Sequence, residues 1–154
     1  MEKMLVGKSP LSNIHHVGMI VRDVDETAEY YESLGMGPFE PLIVNGEDER
    51  IRGKLINDLK LKIRMGHIGP IRMELIEPVT GTGSIWKEVL ERKGEGIHHL
   101  AFVVDDIEKA KAELIEKGLN LIFSARFNKN GGAAYFETNK AGDLVLELFQ
   151  PPQG

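Results

Sequence analysis

The chain has 154 residues, of which 42% are hydrophobic and 28% charged, and these are ordinary values for a globular protein. Its formal net charge of -5 argues against nucleic-acid binding, and the absence of cysteine excludes disulfides and thiolate metal ligands. No apolar run reaches membrane length and residues 1–10 lack the apolar segment of a signal peptide, so we expect a cytoplasmic protein without a membrane partner.

The sequence of the first half begins with a segment of mixed composition over residues 1–12. It then predicts one strand, one helix and three further strands. Ile14 to Val21 is β-rich and apolar on both faces, which predicts a buried central strand. Asp23 precedes a helical pattern that ends at Gly35, and Glu26 is the capping-box partner of Asp23. Further strands are predicted at 39–44, 61–65 and 71–76, with a polar loop at 45–60.

The second half repeats this pattern after a turn-rich linker and a short helix at about 84–94. A strand is predicted at Ile97 to Val104 and a helix at Ile107 to Lys117, and Asn130-Gly131-Gly132 predicts a hairpin. The remaining strands are expected near 121–126, 133–138 and 144–149. The chain therefore predicts two βαβββ modules, at about 13–80 and about 96–151, within one domain over residues 1–154.

An internal repeat relates the two halves. Ile-His-His at 14–16 recurs at 97–99, which is 83 positions later, and the gapless pairing continues as far as Gly35 and Gly118. A second echo relates the segments at 73–78 and 146–151, which carry Glu74 and Glu147. Each half therefore has a His-bearing strand near its start and a Glu-bearing strand near its end.

The repeat also predicts where four polar side chains point. Because side chains alternate across a strand, His16 shares a face with Gly18, and His99 shares a face with Ala101. The small residue two positions after each His is expected to leave open volume beside the imidazole. If the modules curl towards each other with the helices on the apolar face, four side chains converge: His16, Glu74, His99 and Glu147.

Two imidazoles and two carboxylates, without sulfur, suit one divalent ion such as Zn, Co, Ni, Mn or Fe(II). With open positions, such an ion can polarise a carbonyl and hold a developing enolate. The competing interpretation is that a strand His is bonded to backbone in the core and a Leu-Glu-Leu glutamate faces solvent. Recurrence at matched positions favours metal ligation. His15 and His98 are expected to face the other way, in supporting or packing roles, and His67 to lie in a surface turn.

The loop predicted at 45–60 is locally basic in an otherwise acidic protein. Such a charge run is more often a solvated surface than a phosphate site. The alternative interpretation is that the loop steers an anionic substrate towards the site. The residues concerned are Arg50, Arg52, Lys54 and Lys60.

The paired modules, with His-hydrophobic-small at the start and Glu-Leu near the end, resemble the vicinal oxygen chelate superfamily over about residues 13–151. Segment 84–102 looks most like the methylmalonyl-CoA epimerase family. The resemblance implies an α+β fold in which two tandem βαβββ modules form one curved mixed sheet around a metal-binding cavity, with the helices outside. It implies that His16, His99 and Glu147 bind the metal, and Glu74 falls on the remaining ligand position, as in glyoxalase I.

The resemblance also implies a reaction. The epimerases move a proton on the carbon between a thioester and a carboxylate, while the metal chelates the enolate oxygens. Glu147 matches one of the two bases, and gapless counting back from Glu74 places Asp58 at the other. The implied partner is a small-molecule substrate, for which an acyl-CoA is the candidate. Residues 127–138 lack the Gly-rich loop and His-Pro pair expected in epimerases, which leaves the substrate open.

Three other functions fit the same fold. A glyoxalase I-like lactoylglutathione lyase, acting on a hemithioacetal, needs the same four ligands. An extradiol-type dioxygenase would use His16, His99 and Glu147 on Fe(II), but Glu74 as a fourth ligand counts against it because oxygen and substrate need three open positions. A small-molecule-binding resistance protein of this fold commonly lacks the ligands. A two-fold homodimer is the base-rate expectation for assembly.

Overall fold

A ten-stranded mixed sheet and three helices form the fold in this computed structural model, which describes residues 9–140 and 142–153. The segment of mixed composition over residues 1–12 therefore lies largely outside the described residues. No helix among the described residues is long and apolar enough to span a membrane. The elements are β1 (Ile14–Ile20), α1 (Val24–Ser33), β2 (Glu40–Leu42), β3 (Glu47–Ile51), β4 (Lys54–Leu55), β5 (Lys60–Ile68), β6 (Ile71–Thr80), α2 (Ile85–Lys93), β7 (Gly96–Val103), α3 (Ile107–Glu116), β8 (Asn120–Arg126), β9 (Gly132–Glu137) and β10 (Val145–Gln150).

The order of the strands shows the internal repeat. The sheet runs β2-β5-β6-β1-β7-β10-β9-β8-β3-β4, so that four strands of the first half are followed by their four equivalents in reverse order. At the centre, β1 and β7 pair antiparallel, and each pairs in parallel with the Glu-bearing strand of its own half, β6 or β10. The predicted α+β fold, with two tandem modules in one curled mixed sheet, is confirmed.

The helix that follows the first strand of each half starts in the same way. Asp23 and Asp106 cap α1 and α3, and each carboxylate accepts a backbone N–H three residues along, at 2.9 and 3.1 Å. Glu77 on β6 and Gln150 on β10 accept the N–H of the first helical residue, at 2.9 and 2.8 Å. Each helix is thereby fixed to the strand that carries the predicted glutamate ligand of its half.

The helices pack on both faces of the sheet. Helix α1 packs against Phe39 and Leu75, and α3 packs against Phe136 and Leu148, on the face away from the predicted ligands. These two helices lie outside, as expected. Trp86 of α2 is 1% exposed and joins the core of the inner face, which we define as the face that carries His16. Burial of this large side chain holds the linker helix against the inner face.

The prediction of a loop at 45–60 is wrong, because this segment forms a hairpin. Strand β3 leaves the first half, pairs with the edge strand β8 of the second half, and is extended by β4. Arg52 and Gly53 form its two-residue turn with φ angles of 50° and 81°, as a type I′ turn requires. Only Ile51 of the hairpin is buried, and Arg-Gly is not the usual residue pair of such a turn, so the sequence carried little strand signal.

The other two predicted turns differ in outcome. The hairpin at Asn130-Gly131-Gly132 is confirmed, since it connects β8 to β9. The prediction that His67 lies in a turn is wrong: His67 is an exposed residue of β5, and the turn consists of Gly69 and Pro70. Gly69, with φ of 59°, allows the reversal there.

Candidate metal centre

Four side chains from four adjacent strands meet on the inner face of the sheet. They are His16 on β1, Glu74 on β6, His99 on β7 and Glu147 on β10, and one ligand atom of each lies within 4.8 Å of all the others. The two Nε2 atoms are 3.3 Å apart, and each lies 3.1–3.4 Å from the Oε1 atoms of both glutamates. The structure therefore brings together the four residues that the repeat singles out.

These distances fit one divalent ion. Metal–ligand bonds of about 2.1 Å place neighbouring ligand atoms roughly 3.0–3.4 Å apart. The Oε1 atoms of Glu74 and Glu147 are buried and accept no hydrogen bond from the residues that the structure describes. Two buried carboxylates side by side are costly unless a cation compensates them. A divalent ion would supply that positive charge and bind both oxygens. The two imidazole nitrogens and two carboxylate oxygens therefore fit a divalent ion.

A glycine allows the two strands to hold both imidazoles. Gly18 on β1 is the cross-strand partner of His99, and a Cβ atom at Gly18 would overlap the His99 ring. In the equivalent pairing, His16 lies opposite Ala101. The volume expected beside the His16 imidazole is therefore not open at Gly18, because the imidazole of the opposite strand fills it. The small residue two positions after His16 makes room for the clustered histidine of the other module.

The histidines that precede the ligands also contact them. The β1–β7 ladder has irregularities at His15 and at His98, which stand as extra residues in the pairing. Nδ1 of His15 lies 2.9 Å from Nδ1 of His16, and Nδ1 of His98 lies 2.9 Å from Nδ1 of His99. The prediction that His15 and His98 face away from the ligands is therefore wrong, because a bulge re-aims a side chain within a strand.

Burial and charge act in opposite directions on the cluster. Burial lowers the pKa of His16, but the adjacent carboxylates outweigh it and raise the pKa to about 10. Burial raises the pKa of Glu74 and Glu147, but the two imidazoles outweigh it and lower both. By contrast, burial lowers the pKa of His98 to about 3, which keeps its imidazole neutral at pH 7. Without a metal ion, the cluster therefore retains protons that an incoming ion must displace.

This competition predicts a pH dependence of stability. In the metal-free protein, the pKa of His16 rises from 6.5 unfolded to about 10 folded, so its contribution to stability is complete below pH 6.5 and is lost as pH approaches 10. We expect the melting temperature of chelator-treated protein to fall over this range. His16→Asn should reduce that fall and leave the part due to His99, whose pKa the same two carboxylates raise against the effect of burial, and excess Zn²⁺ should suppress the fall. An unchanged pH profile in His16→Asn would contradict the assignment.

The predicted second base, Asp58, is not one of the four clustered residues. Its carboxylate accepts the backbone N–H of Thr82 at 3.0 and 3.1 Å and the Thr82 hydroxyl at 2.5 Å. These hydrogen bonds lower the pKa of Asp58. The contacts tie the segment before β5 to the segment after β6, which is a structural role. The catalytic role of Asp58 stays a prediction that this geometry does not support.

Tyr135 is a neighbour of the cluster that the sequence did not reveal. It pairs with Glu147 across β9 and β10, and its ring centroid lies 5.0 Å from that of His99. Burial and then the two glutamate charges raise its pKa well above the usual range, so its hydroxyl is neutral. Tyr135 lies in an apolar strand, so its sequence neighbours give no sign of a functional role. Its position opposite Glu147 follows from the β9–β10 register, which cannot be read from the sequence of the segment between the two strands.

A cavity of about 370 Å³ lies next to strand β7, although none of the four clustered side chains is among its lining residues. His98 and Val145 line it, and these residues are, respectively, the chain neighbour and the cross-strand partner of His99. Two of the four cations around it, Arg92 and Lys93, pair with Asp143, whereas Arg52 and Lys140 form no ion pair with the described residues. Arg52 lies in the β3–β4 turn, and Lys140 lies in the segment after β9.

Known proteins are similar to this chain in sequence and in fold. The chain is 23% identical over 146 residues to the uncharacterised protein YqjC of Bacillus subtilis, covering 92% of this chain and 94% of that one. It is 24% identical to bovine mitochondrial methylmalonyl-CoA epimerase, covering 91% of this chain and 75% of the relative. A Streptomyces coelicolor methylmalonyl-CoA epimerase bound to 2-nitronate-propionyl-CoA superposes with a TM-score of 0.69 at 22% identity, covering 93% and 99% of the two chains.

A family-wide sequence profile matches most of the chain. It covers residues 15–136, which include three of the four clustered side chains. The chain belongs to the glyoxalase/bleomycin resistance protein/dioxygenase superfamily.

Proposed function

We propose that this protein is a divalent-metal-dependent isomerase that moves a proton on the carbon next to a carbonyl, with methylmalonyl-CoA or a related acyl-CoA as substrate. The observation that carries the proposal is the cluster of two imidazoles and two buried carboxylate oxygens within 4.8 Å of one another, in which neither oxygen accepts a hydrogen bond from a described residue. Its ligands would be His16, Glu74, His99 and Glu147.

The proposed chemistry divides between the ion and the chain. A divalent ion bound here would supply Lewis-acid stabilisation of negative charge on a carbonyl oxygen. Glu147 would take the proton, because a carboxylate that ligates through one oxygen keeps a second oxygen for proton transfer. Its side chain is buried, since the residue is only 5% exposed. Low hydration strengthens the electrostatic interactions that proton abstraction from a carbon acid requires.

The comparisons support an acyl-CoA substrate over other carbonyl compounds. The bovine relative is a methylmalonyl-CoA epimerase, and a solved structure of similar fold contains an epimerase with methylmalonyl-CoA. Arg52 and Lys140, which line the cavity and form no ion pair with the described residues, would favour an anionic substrate. Glu74 favours one second candidate, a glyoxalase I-like lyase, because the superfamily resemblance places the same residue type at that ligand position in glyoxalase I.

Deuterium exchange tests the proposal. The metal-loaded protein, incubated with methylmalonyl-CoA in deuterated water, should place deuterium at the α-carbon, as detected by mass spectrometry. Absence of exchange with every related acyl-CoA, together with isomerisation of a glutathione hemithioacetal, would replace the proposal with the lyase. Catechol cleavage dependent on iron and oxygen would favour a dioxygenase. Tight small-molecule binding without turnover would favour a sequestering protein.

Arg52, in the turn between β3 and β4, provides a prediction about substrate binding. Arg52→Glu should raise KM for an anionic substrate severalfold and weaken its salt dependence, with kcat nearly unchanged, because Arg52 lines the cavity. Lys54→Glu is the matched control, since it makes the same charge change on the same hairpin and Lys54 is not among the residues lining that cavity. Equal effects of the two substitutions would show that only net charge matters.

A further inference from the structure

We infer that His15 and His98 are positioning residues that hold the two ligand imidazoles of the centre through Nδ1-to-Nδ1 hydrogen bonds. The inference rests on the proposed metal centre and adds a role that the ligands alone do not require. It follows from the same contact in both halves of the molecule, where His15 meets His16 and His98 meets His99 at 2.9 Å.

The direction of each hydrogen bond follows from the ligand atoms. Nε2 of His16 and Nε2 of His99 face the cluster, so each ring must present that nitrogen without a hydrogen to bind an ion. The single hydrogen of each neutral imidazole then resides on Nδ1. This N–H donates to Nδ1 of the preceding histidine, whose own hydrogen must reside on Nε2. Both rings of each pair stay neutral, and each carries one hydrogen.

The backbone is shaped to form these contacts. Adjacent residues of a regular strand point to opposite faces, so the two rings of a His-His pair would normally be separated by the sheet. The irregularities at His15 and His98 instead bring the paired rings to centroid distances of 5.2 and 5.1 Å with nearly perpendicular planes. The facing Nδ1 atoms, 2.9 Å apart in each pair, allow the Nδ1–H of one ring to point at the lone pair of the other. Both halves of the repeat therefore form the same bulge and the same contact.

The identity of the acceptor has a chemical consequence. A ligand histidine usually donates to a carboxylate, a backbone carbonyl or a water molecule, and a carboxylate makes the ligand more basic. Neither His15 nor His98 forms an ion pair with a carboxylate among the described residues. Two glutamate ligands already balance the charge of a divalent ion. Neutral imidazole acceptors would orient the ligand rings without adding negative charge that weakens the ion as a Lewis acid.

Nuclear magnetic resonance of ¹⁵N-histidine-labelled protein tests this directly, because the chain has only five histidines. In the Zn²⁺-loaded protein, His16 and His99 should carry hydrogen on Nδ1, whereas His15 and His98 should carry it on Nε2. Scalar coupling across the hydrogen bond should connect the two Nδ1 atoms of each pair. Hydrogen on Nδ1 of His15 or His98 would overturn the inference. Absence of any Zn²⁺-induced shift at the ligand Nε2 atoms would instead contradict the proposed metal centre.

Metal affinity provides the second test. His98→Leu removes the acceptor and should weaken Co²⁺ or Zn²⁺ binding by about 10- to 100-fold in chelator competition. His98→Asn places an amide oxygen where Nδ1 was and should restore affinity to within about threefold of wild type. The same pair of substitutions at His15, which is less buried, decides the matter if His98→Leu does not fold. Exposed His67→Leu is the control, and affinities equal to it in both Leu variants would overturn the inference.

Discussion

Replacing Glu147 by Gln should lower turnover by roughly 10²- to 10⁴-fold while most of the metal is retained. Gln keeps an oxygen that can ligate the ion, but it cannot accept the proton of a carbon acid. The loss should appear in kcat for deuterium exchange with methylmalonyl-CoA, with metal content measured on the same samples. The expected magnitude is that of a missing general base rather than of a missing ligand.

Glu74→Gln provides the matched control for this substitution. Glu74 holds the equivalent place in the other module, is similarly buried and contacts the same two Nε2 atoms. Glu74→Gln should weaken metal binding as much as Glu147→Gln does. It should lower turnover by no more than about tenfold, which is the order expected when no general base is lost. Equal losses in the two variants would show that both act through the metal alone, and the assignment of Glu147 as the base would fail.

Gly18→Ala should disrupt the metal centre more than any single substitution that keeps the ligand atoms, such as Glu147→Gln. The added methyl group would overlap the His99 ring, which is 0% exposed and has no free space to occupy. Displacing a catalytic-site group by about 1 Å can cost about 10²-fold in rate, and overpacking a core costs about 1–3 kcal/mol. Turnover should therefore fall by about 10²-fold or more, metal affinity should fall with it, and denaturant unfolding should show a loss of stability.

A double substitution separates this contact from a general intolerance of side chains at Gly18. His99→Ala removes the ring that the new methyl group would meet. Gly18→Ala should then cost much less unfolding free energy in the His99→Ala protein than in the wild type. If the cost is the same in both backgrounds, the steric explanation is wrong, and Gly18 serves another purpose in the sheet.

The site was predictable from the sequence because the repeat carries it. A histidine 83 positions from its equivalent, and a glutamate near the end of each half, define faces of strands that only a paired sheet brings together. Strand alternation correctly placed His16 and His99 on one face, and the cap at Asp23 correctly marked the start of α1. These inferences depend on local periodicity, which can be read directly from the sequence.

What escaped prediction depends on long-range register. The bulges that turn His15 and His98 towards their neighbours arise from the β1–β7 pairing, and strict alternation predicted the opposite orientation. The β3–β4 hairpin forms because the edge of β8 is available to it, and its own residues are polar and exposed. Gapless counting selected Asp58 without knowledge that Thr82 occupies its carboxylate.

A crystal structure of the metal-loaded protein, with anomalous scattering measured at the metal edge, tests the central claim most directly. We predict one ion per chain, bonded at about 2.0–2.2 Å to Nε2 of both histidines and to one oxygen of each glutamate. The four ligands would be His16, Glu74, His99 and Glu147. Saturating metal with no anomalous peak among these residues, or a peak whose ligands exclude them, would contradict the account.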